Sequence, residues 1–186
     1  VNSVTQQIAY TNSSDAPPAS AQINWTFNDN NSGAQGSGGA LAATGNVTVS
    51  ITETNDEQVL ATNTGRTVNE NSTGNAISNT QLLTTDVDNT TSQLFYTITS
   101  ATSNGTLRRS GTALSVSSTF TQADIDAGLI TYDHNGSETS SDSFSFSVDD
   151  GTGSASTGTF NITVTPVNDN NPIITSNGGG LTAGVN

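Results

Sequence analysis

The side chains of this sequence that could do chemistry are mainly carboxylates. The 186 residues include 16 Asp and Glu, three Lys and Arg, one His and no Cys, and the formal net charge is -13. Zinc sites and iron–sulfur clusters need Cys and His ligands, which are almost absent here. Carboxylates suit hard cations such as Ca²⁺, which takes ~6 to 8 oxygen ligands. The composition therefore favours hard-cation binding.

The basic side chains are too few for a polyanionic partner. Arg66, Arg108 and Arg109 are the only Lys or Arg residues, so no patch can neutralise a run of phosphates. This argues against nucleic acid and against an anionic membrane surface. The sequence contains no long apolar run, so membrane insertion is not expected.

Catalysis is not expected either. His134 lies beside Asp133, and Ser137 and Asp142 could complete a nucleophilic triad on paper. The Gly-x-Ser-x-Gly elbow that would expose such a serine is missing. We therefore predict that the chain is not an enzyme.

Three segments alternate apolar and polar residues, which is the period of half-buried β-strands. Their apolar positions are Leu94, Tyr96 and Ile98; Phe144, Phe146 and Val148; and Phe160, Ile162 and Val164. We predict an all-β fold.

Local signals place turns between these strands. Asn104-Gly105 predicts a β-hairpin turn, because both residues tolerate positive φ. Thr121 and Asp124 predict a capped single helical turn that Gly128 ends, so Asp124 and Asp126 are interpreted as turn residues rather than ligands.

The chain contains an internal repeat. Residues 45–56 align with residues 158–169, and residues 23–29 align with residues 144–150. Short strands in a repeat of roughly 100 residues predict tandem Greek-key β-sandwich modules. We assign 1–56 to the C-terminal part of one repeat, 57–169 to a complete repeat, and 170–186 to a linker and the first strand of the next.

One ordered series of motifs resembles a known family. It runs Val68-Asn69-Glu70, Thr85-Asp86-Val87-Asp88, Leu94-Phe95-Tyr96, Asn104-Gly105-Thr106-Leu107, Phe120-Thr121-Gln122-Ala123-Asp124, Ile130-Thr131-Tyr132-Asp133-His134, Asp142-Ser143-Phe144 and Pro166-Val167-Asn168-Asp169. The series resembles the cadherin-like repeats of chondroitin-sulfate-proteoglycan (CSPG) type in giant bacterial RTX-type adhesins. That resemblance implies a cadherin/immunoglobulin-like sandwich with Ca²⁺ at the junctions between repeats.

Carried onto this sequence, the resemblance implies two sets of calcium ligands. The set before the complete repeat is Asn55, Asp56, Asp86, Asp88 and either Asp149 or Asp150. The set after it is Glu70, Glu138, Asn168, Asp169 and Asn170. The Asp-Arg-Glu triplet of true cadherins is missing, so Asp133 and Asp142 remain alternatives to Glu138. Solvated turns are the other interpretation of these acids.

The expected function is structural. We predict a module of an extended, calcium-stiffened bacterial surface adhesin, stalk or filament that mediates cell adhesion or surface attachment, located extracellularly or at the cell surface. The expected partners are neighbouring repeats or copies of the same protein, or cell-surface carbohydrate or protein, and the incomplete end repeats suggest a continuous or head-to-tail array. The alternative is a secreted carbohydrate-binding module in which Trp25 or Tyr132 stacks on a sugar. Trp25 alternates with Ile23 and Phe27, however, so we predict that it is a core residue.

Overall fold

The structure is a computed structural model that describes residues 9–29 and 41–169. Its regular elements in these residues are β1 (Ser20–Asn28), β2 (Ala42–Ser50), β3 (Val59–Asn63), β4 (Arg66–Asn69), β5 (Asn75–Ala76), β6 (Leu82–Thr85), β7 (Phe95–Ser100), β8 (Gly105–Arg109), β9 (Thr112–Ala113), β10 (Thr119–Thr121), α1 (Gln122–Asp126), β11 (Ile130–His134), β12 (Ser141–Asp149) and β13 (Ser156–Thr165). The all-β prediction is confirmed. The segment 170–186, predicted to begin another repeat, lies outside the described residues.

From β3 onward, the strands form a sandwich around one core. The larger sheet has the order β10-β7-β12-β13-β4, the second has β5-β11-β8-β9, and β3 pairs separately with β6. The predicted alternation is confirmed, because the predicted apolar positions within β7, β12 and β13 are all buried in one cluster, and Leu94, just before β7, is buried as well. Fully burying each such side chain stabilises the fold by ~1.5 to 3 kcal/mol.

Aromatic rings occupy the centre of this core. Tyr96 stacks on Phe120 with ring centroids 5.0 Å apart, and Phe144 stacks on Phe160 at 5.3 Å. The Tyr96 hydroxyl stays hydrogen-bonded, since it lies 2.6 Å from the Thr84 hydroxyl and donates to Gln122 Oε1. Burial raises the pKa of Tyr96 to about 12, so this hydroxyl keeps its proton at physiological pH.

One strand pairing in the sandwich is parallel. β4 and β13 are parallel neighbours, with Val68 opposite Val164 and Asn69 opposite Thr165. The second strand of the sandwich, β4, and its last strand, β13, therefore run in the same direction. Parallel pairing brings the ends of both strands to one end of the module, and the residues that follow them become neighbours.

The hairpin predicted at Asn104-Gly105 is wrong. β7 and β8 belong to different sheets, so this dipeptide lies in a crossover between layers. The Asn104 backbone N–H donates to Asp142 Oδ2 at 3.0 Å. A Cβ at Gly105 would collide with the Tyr132 ring. Glycine is required here because the Tyr132 ring packs against the backbone. An Asn-Gly dipeptide can therefore mark close packing as well as a tight turn.

The predicted helical turn is confirmed at α1. Thr121 Oγ1 accepts the Asp124 N–H at 3.2 Å, while the Asp124 carboxylate accepts the Thr121 N–H at 2.8 Å. Gly128 follows with a positive φ. Asp124 also forms an ion pair with Arg109 at 3.1 Å, so its carboxylate already has a cationic partner.

The core assignment of Trp25 is wrong. Trp25 is 38% exposed and Phe27 is 45% exposed, because β1 and β2 form a two-stranded sheet of their own in the described part of the chain. The strand period was interpreted correctly, but no second layer among the described residues covers this apolar face.

Candidate metal centre

The C-terminal end of the sandwich is organised around Glu70. This residue follows β4, and the parallel register places it beside the segment that follows β13. Its N–H donates to Thr165 O at 2.9 Å, and its Oε2 accepts the Val167 N–H at 3.0 Å. Glu70 is only 4% exposed, yet its Oε1 is buried without a hydrogen-bond partner.

Two more carboxylates converge on Glu70. Glu138 and Asp169 each have a carboxylate oxygen in a group with Glu70 whose atoms all lie within 4.8 Å of one another. We call these three residues the C-terminal trio. Ca²⁺–oxygen distances are ~2.3 to 2.6 Å, so ligands on opposite sides of one ion lie about 5 Å apart. The spacing of the trio fits a calcium-sized cation.

His134 fixes the loop that carries Glu138. The ring is buried, and its Nδ1 accepts the N–H groups of Asn71 and Gly136, each at 3.1 Å. Because Nδ1 is an acceptor, the ring proton of the neutral imidazole lies on Nε2, which donates to Thr139 Oγ1 at 3.2 Å. The same ring therefore connects the backbone beside Glu70 with the loop of Glu138.

Asp133 and Asp142, the two alternatives to Glu138 in the sequence, make other contacts. Asp133 accepts hydrogen bonds from the Gly74 N–H at 2.7 Å and from Arg108 Nε at 2.6 Å. Asp142 accepts from the Tyr132 hydroxyl at 2.8 Å as well as from the backbone of the β7–β8 crossover. Glu138 is thus the residue of the three that the structure brings to Glu70.

Asn168 and Asn170 complete the set expected at this end. Asn168 lies in the exposed segment between β13 and Asp169. Asn170 lies outside the described residues.

At the N-terminal end, the linker before β3 meets acids from two other segments. The Asp56 N–H donates to Asp88 Oδ2 at 2.7 Å, and the Asn55 side-chain amide donates to Asp150 Oδ2 at 3.0 Å. The antiparallel pairing of β3 with β6 brings Asp86 and Asp88, which follow β6, to the start of β3. Asn55, Asp56, Asp86, Asp88 and Asp150 form the N-terminal cluster.

Backbone N–H groups occupy part of this cluster. Asp86 Oδ1 accepts from the N–H groups of Asp88 at 2.7 Å and Asn89 at 2.9 Å. Three side-chain oxygens remain buried without a hydrogen-bond partner: Asp86 Oδ2, Asp88 Oδ1 and Asn89 Oδ1. Buried oxygens normally have a partner, so these three are candidate ligand atoms.

The two carboxylates at the end of β12, Asp149 and Asp150, have different surroundings. The hydrogen bond from the Asn55 amide lowers the pKa of Asp150 below its ordinary value, against the opposing effect of burial and with help from the Thr152 N–H. Asp149 instead accepts the Gly151 N–H in the turn at 2.5 Å. Of the two alternatives, Asp150 is the one that contacts the linker.

Sequence reasoning missed Asp15 and Asn89. Asp15 precedes β1 and lines a cleft of about 370 Å³ together with Asp56, Glu57 and Asp86. The repeat alignment could have identified it, because Asp15 follows Tyr10 much as Glu138 follows Tyr132. Asn89 gives a weaker signal, since an Asn after an Asp pair is also common in turns.

Among residues 9–29 and 41–169, the C-terminal trio is the set of Asp, Glu and His residues whose candidate ligand atoms all lie within 4.8 Å of one another. The acids of the N-terminal cluster converge less tightly. Residues 9–29 and 41–169 contain no helix long and apolar enough to cross a membrane.

A β-sandwich with acids gathered at both ends is the arrangement of a cadherin-like module. The family model described as cadherin-like matches residues 59–164, and the chain belongs to this family. This covers the β3–β13 sandwich, with the trio residue Glu70 inside the match and Asp169 just beyond it.

The curated relatives are large extracellular matrix proteins. The chain is 36% identical over 127 residues to the human extracellular matrix organizing protein FRAS1, which covers 68% of this chain and 3% of the relative. It is 35% identical over 112 residues to the human FRAS1-related extracellular matrix protein 2, which covers 60% of this chain and 4% of the relative. The mouse FRAS1 protein matches at 33% over 138 residues, or 74% of this chain and 3% of the relative. The chain thus spans only a few per cent of these relatives, and they agree with the extracellular location that its sequence predicts.

Proposed function

We propose that this chain is a structural module of an extended extracellular array, in which Ca²⁺ binds at both ends of the sandwich and stiffens the junctions between modules. Cadherin-like domains generally bind Ca²⁺. The supporting observation is Glu70, a buried carboxylate with an unpartnered oxygen that two other carboxylates approach.

The electrostatics of the C-terminal trio favour a cation. Burying a charged carboxylate is costly unless it is paired, and like charges at this distance repel. The ion pairs of the described residues, Arg108 with Asp133 and Arg109 with Asp124, do not involve Glu70 or Asp169. A divalent cation would neutralise the trio and provide the missing partner for Glu70 Oε1.

The positions of the two clusters suit a linear array. β13 starts beside the N-terminal cluster and ends beside the trio, and its ten residues span roughly 30 Å at ~3.3 Å each. One module would therefore hold cations about a strand length apart. In the sequence repeat, Asn55 and Asp56 after β2 align with Asn168 and Asp169 after β13.

The biological setting is proposed from two kinds of similarity. The matrix relatives support a role in extracellular adhesion or matrix organisation. A bacterial surface adhesin or filament rests only on the resemblance of the motif series. In both settings, the proposed partners are neighbouring modules or other extracellular proteins, and the proposed role is structural rather than enzymatic.

Calorimetric titration with CaCl₂ tests this proposal. We expect binding in the range of ~0.1 to 1 mM that is typical of extracellular modules, and a higher melting temperature in calcium than in chelator. Glu70→Gln should abolish the contribution of the trio, while Glu53→Gln, an equal charge change at an exposed residue outside both clusters, should not. A melting temperature that is the same in chelator and in millimolar calcium would contradict the proposal.

A carbohydrate-binding module remains the second candidate, because Trp25 is exposed. Tyr132 cannot take the same role, since it is fully buried and donates to Asp142. If the Trp25 face binds sugar, soluble polysaccharides should quench or shift Trp25 fluorescence, and Trp25→Ala should abolish their retention.

A further inference from the structure

The β1–β2 hairpin has an apolar face that the calcium proposal does not explain. Trp25, Phe27 and Val47 are 38%, 45% and 49% exposed, and the alternate positions on the other face are mainly polar. A two-stranded hairpin is at best marginally stable alone in water. An exposed apolar face of this kind usually marks a contact surface.

This hairpin reproduces the β12–β13 hairpin of the complete module. Trp25 is opposite Gly45 as Phe146 is opposite Gly158, and Ile23 is opposite Val47 as Phe144 is opposite Phe160. The packing is also equivalent, because a Cβ on Gly45 would collide with the Trp25 ring and a Cβ on Gly158 would collide with the Phe146 ring. The sequence repeat therefore extends to strand register and to a ring packed over glycine.

The complete module shows what covers such a hairpin. β7 pairs with the outer edge of β12, and β4 pairs in parallel with the outer edge of β13. Core residues of the second sheet, such as Leu107 and Ile130, belong to the same cluster as Phe146 and Phe160, and Phe160 is 0% exposed. In the described residues, β1 and β2 have neither edge partner and no covering sheet.

We infer that the apolar face and both outer edges of β1–β2 bind the β3–β11 portion of another cadherin-like repeat, with a β7-like strand beside β1 and a β4-like strand beside β2. The partner is a polypeptide with the alternating apolar strands of residues 57–131, rather than a sugar or an unrelated protein. The inference rests on the proposed role as a module of an array. Its test is run in chelator, so that calcium binding cannot influence the result.

A fusion tests this inference. Residues 57–131 of this chain are placed directly before Tyr10, in place of residues 1–9, so that Tyr10 takes the position of Tyr132. Trp25 is the single tryptophan and reports on the face directly. We expect its emission to move to shorter wavelength, its quenching by acrylamide to fall, and amide exchange in β1–β2 to slow at least ~10-fold, or about 1.4 kcal/mol.

A control and a second variant keep the result interpretable. The same fusion with Val47→Asp places a carboxylate where Phe160 lies in the complete module, and it should lose the protection. If Trp25 is too large for a site that accepts Phe146, the fusion with Trp25→Phe should still protect β1–β2 from exchange. Absence of protection in both fusions would overturn the inference. Concentration-dependent self-association of the unmodified chain that buries Trp25 would also overturn it, since the occupant would then be a second copy of the same face.

Discussion

The two ends of the sandwich gather acids in different ways. In the N-terminal cluster, the linker supplies N–H donors to the carboxylates, from the Asp56 backbone to Asp88 and from the Asn55 amide to Asp150. In the C-terminal trio, Glu70 keeps a buried oxygen without a partner, and its neighbours Glu138 and Asp169 are also acids. The first end is held partly by hydrogen bonds and also keeps unpartnered oxygens at Asp86 and Asp88, whereas the second gathers its carboxylates more closely, as the proposed cation would require.

The difference follows from the segments that each end contains. The N-terminal cluster combines the segment between β2 and β3 with the loops after β6 and β12, so in the proposed array it includes both sides of a junction. The trio comes from the loop after β4, the loop before β12 and the segment after β13. Among the described residues, it has no counterpart of Asp86, Asp88 and Asp150. We therefore expect the C-terminal end to respond more strongly to calcium, and four changes test this comparison.

The largest effect is expected from His134→Leu. This change leaves the N–H groups of Asn71 and Gly136 without their acceptor, and an unsatisfied buried group costs ~1 to 3 kcal/mol, or about 3 kcal/mol for the pair. Calcium binding by the trio should weaken because the Glu138 loop loses its anchor, while the N-terminal cluster is unaffected. Chemical denaturation and calorimetry measure both effects, with the exposed neighbour Asn135→Ala as control. Equal loss at both ends would show that His134 acts on the whole fold.

Glu70→Gln should remove most of the calcium-dependent stability. Calcium at ~10 mM is a hundredfold excess over a Kd of ~0.1 mM and stabilises the native state by ~2.7 kcal/mol, and we expect most of this difference between calcium and chelator to disappear. In chelator, the variant should be as stable as the wild type or more stable, because it removes a charge from the trio. Thermal melts in both buffers decide this. A variant that is strongly destabilised in chelator would mean that Glu70 is structural.

Asn55→Ala tests the hydrogen-bonded end. Loss of the amide donor to Asp150 should cost about 1.5 kcal/mol, the lower part of the range for hydrogen bonds to charged groups, since the site is only partly buried. The pKa of Asp150 should rise towards its ordinary value. Carboxyl NMR titration and denaturation measure the two effects, and Asn168→Ala provides the equivalent change at the other end. If both variants lose the same stability, the two ends do not differ as proposed.

The sequence predicted most of the fold because strand burial follows a simple period. The residues of β7, β12 and β13 alternate over one core, and α1 carries a complete local capping signal at Thr121. The same period could not show that Trp25 lacks a covering layer, since coverage depends on residues far away in the chain. Nor could a local turn signal show that Asn104-Gly105 crosses between sheets.

The sequence motifs predicted only part of the candidate metal centre. The family order placed Glu70 and Asp169 in one expected ligand set, but the choice of Glu138 over Asp133 and Asp142 depends on which carboxylate lies beside Glu70. That information appears only when Arg108 and Tyr132 are placed in space. Asp15 was missed because a single Asp before a strand carries no signal by itself.

Arg108→Met should have the smallest effect and defines an internal reference for the trio. Burial acts to raise the pKa of Asp133, but the hydrogen bond from the Gly74 N–H and the adjacent Arg108 guanidinium lower it below the ordinary value overall. A carboxyl group with a lowered folded pKa adds stability above its unfolded pKa, and that stability is lost as pH falls through the folded pKa. Without Arg108, the Asp133 pKa should rise and this loss of stability at acid pH should shrink, by ~0.5 kcal/mol or less because the pair is partly solvated.

Calcium should leave the Asp133 titration unchanged, since this carboxylate already has a cation within the chain. NMR titration of the Asp133 carboxyl in wild type and variant measures both points. A calcium-dependent Asp133 titration would place this acid in the metal centre and remove the distinction between it and Glu138.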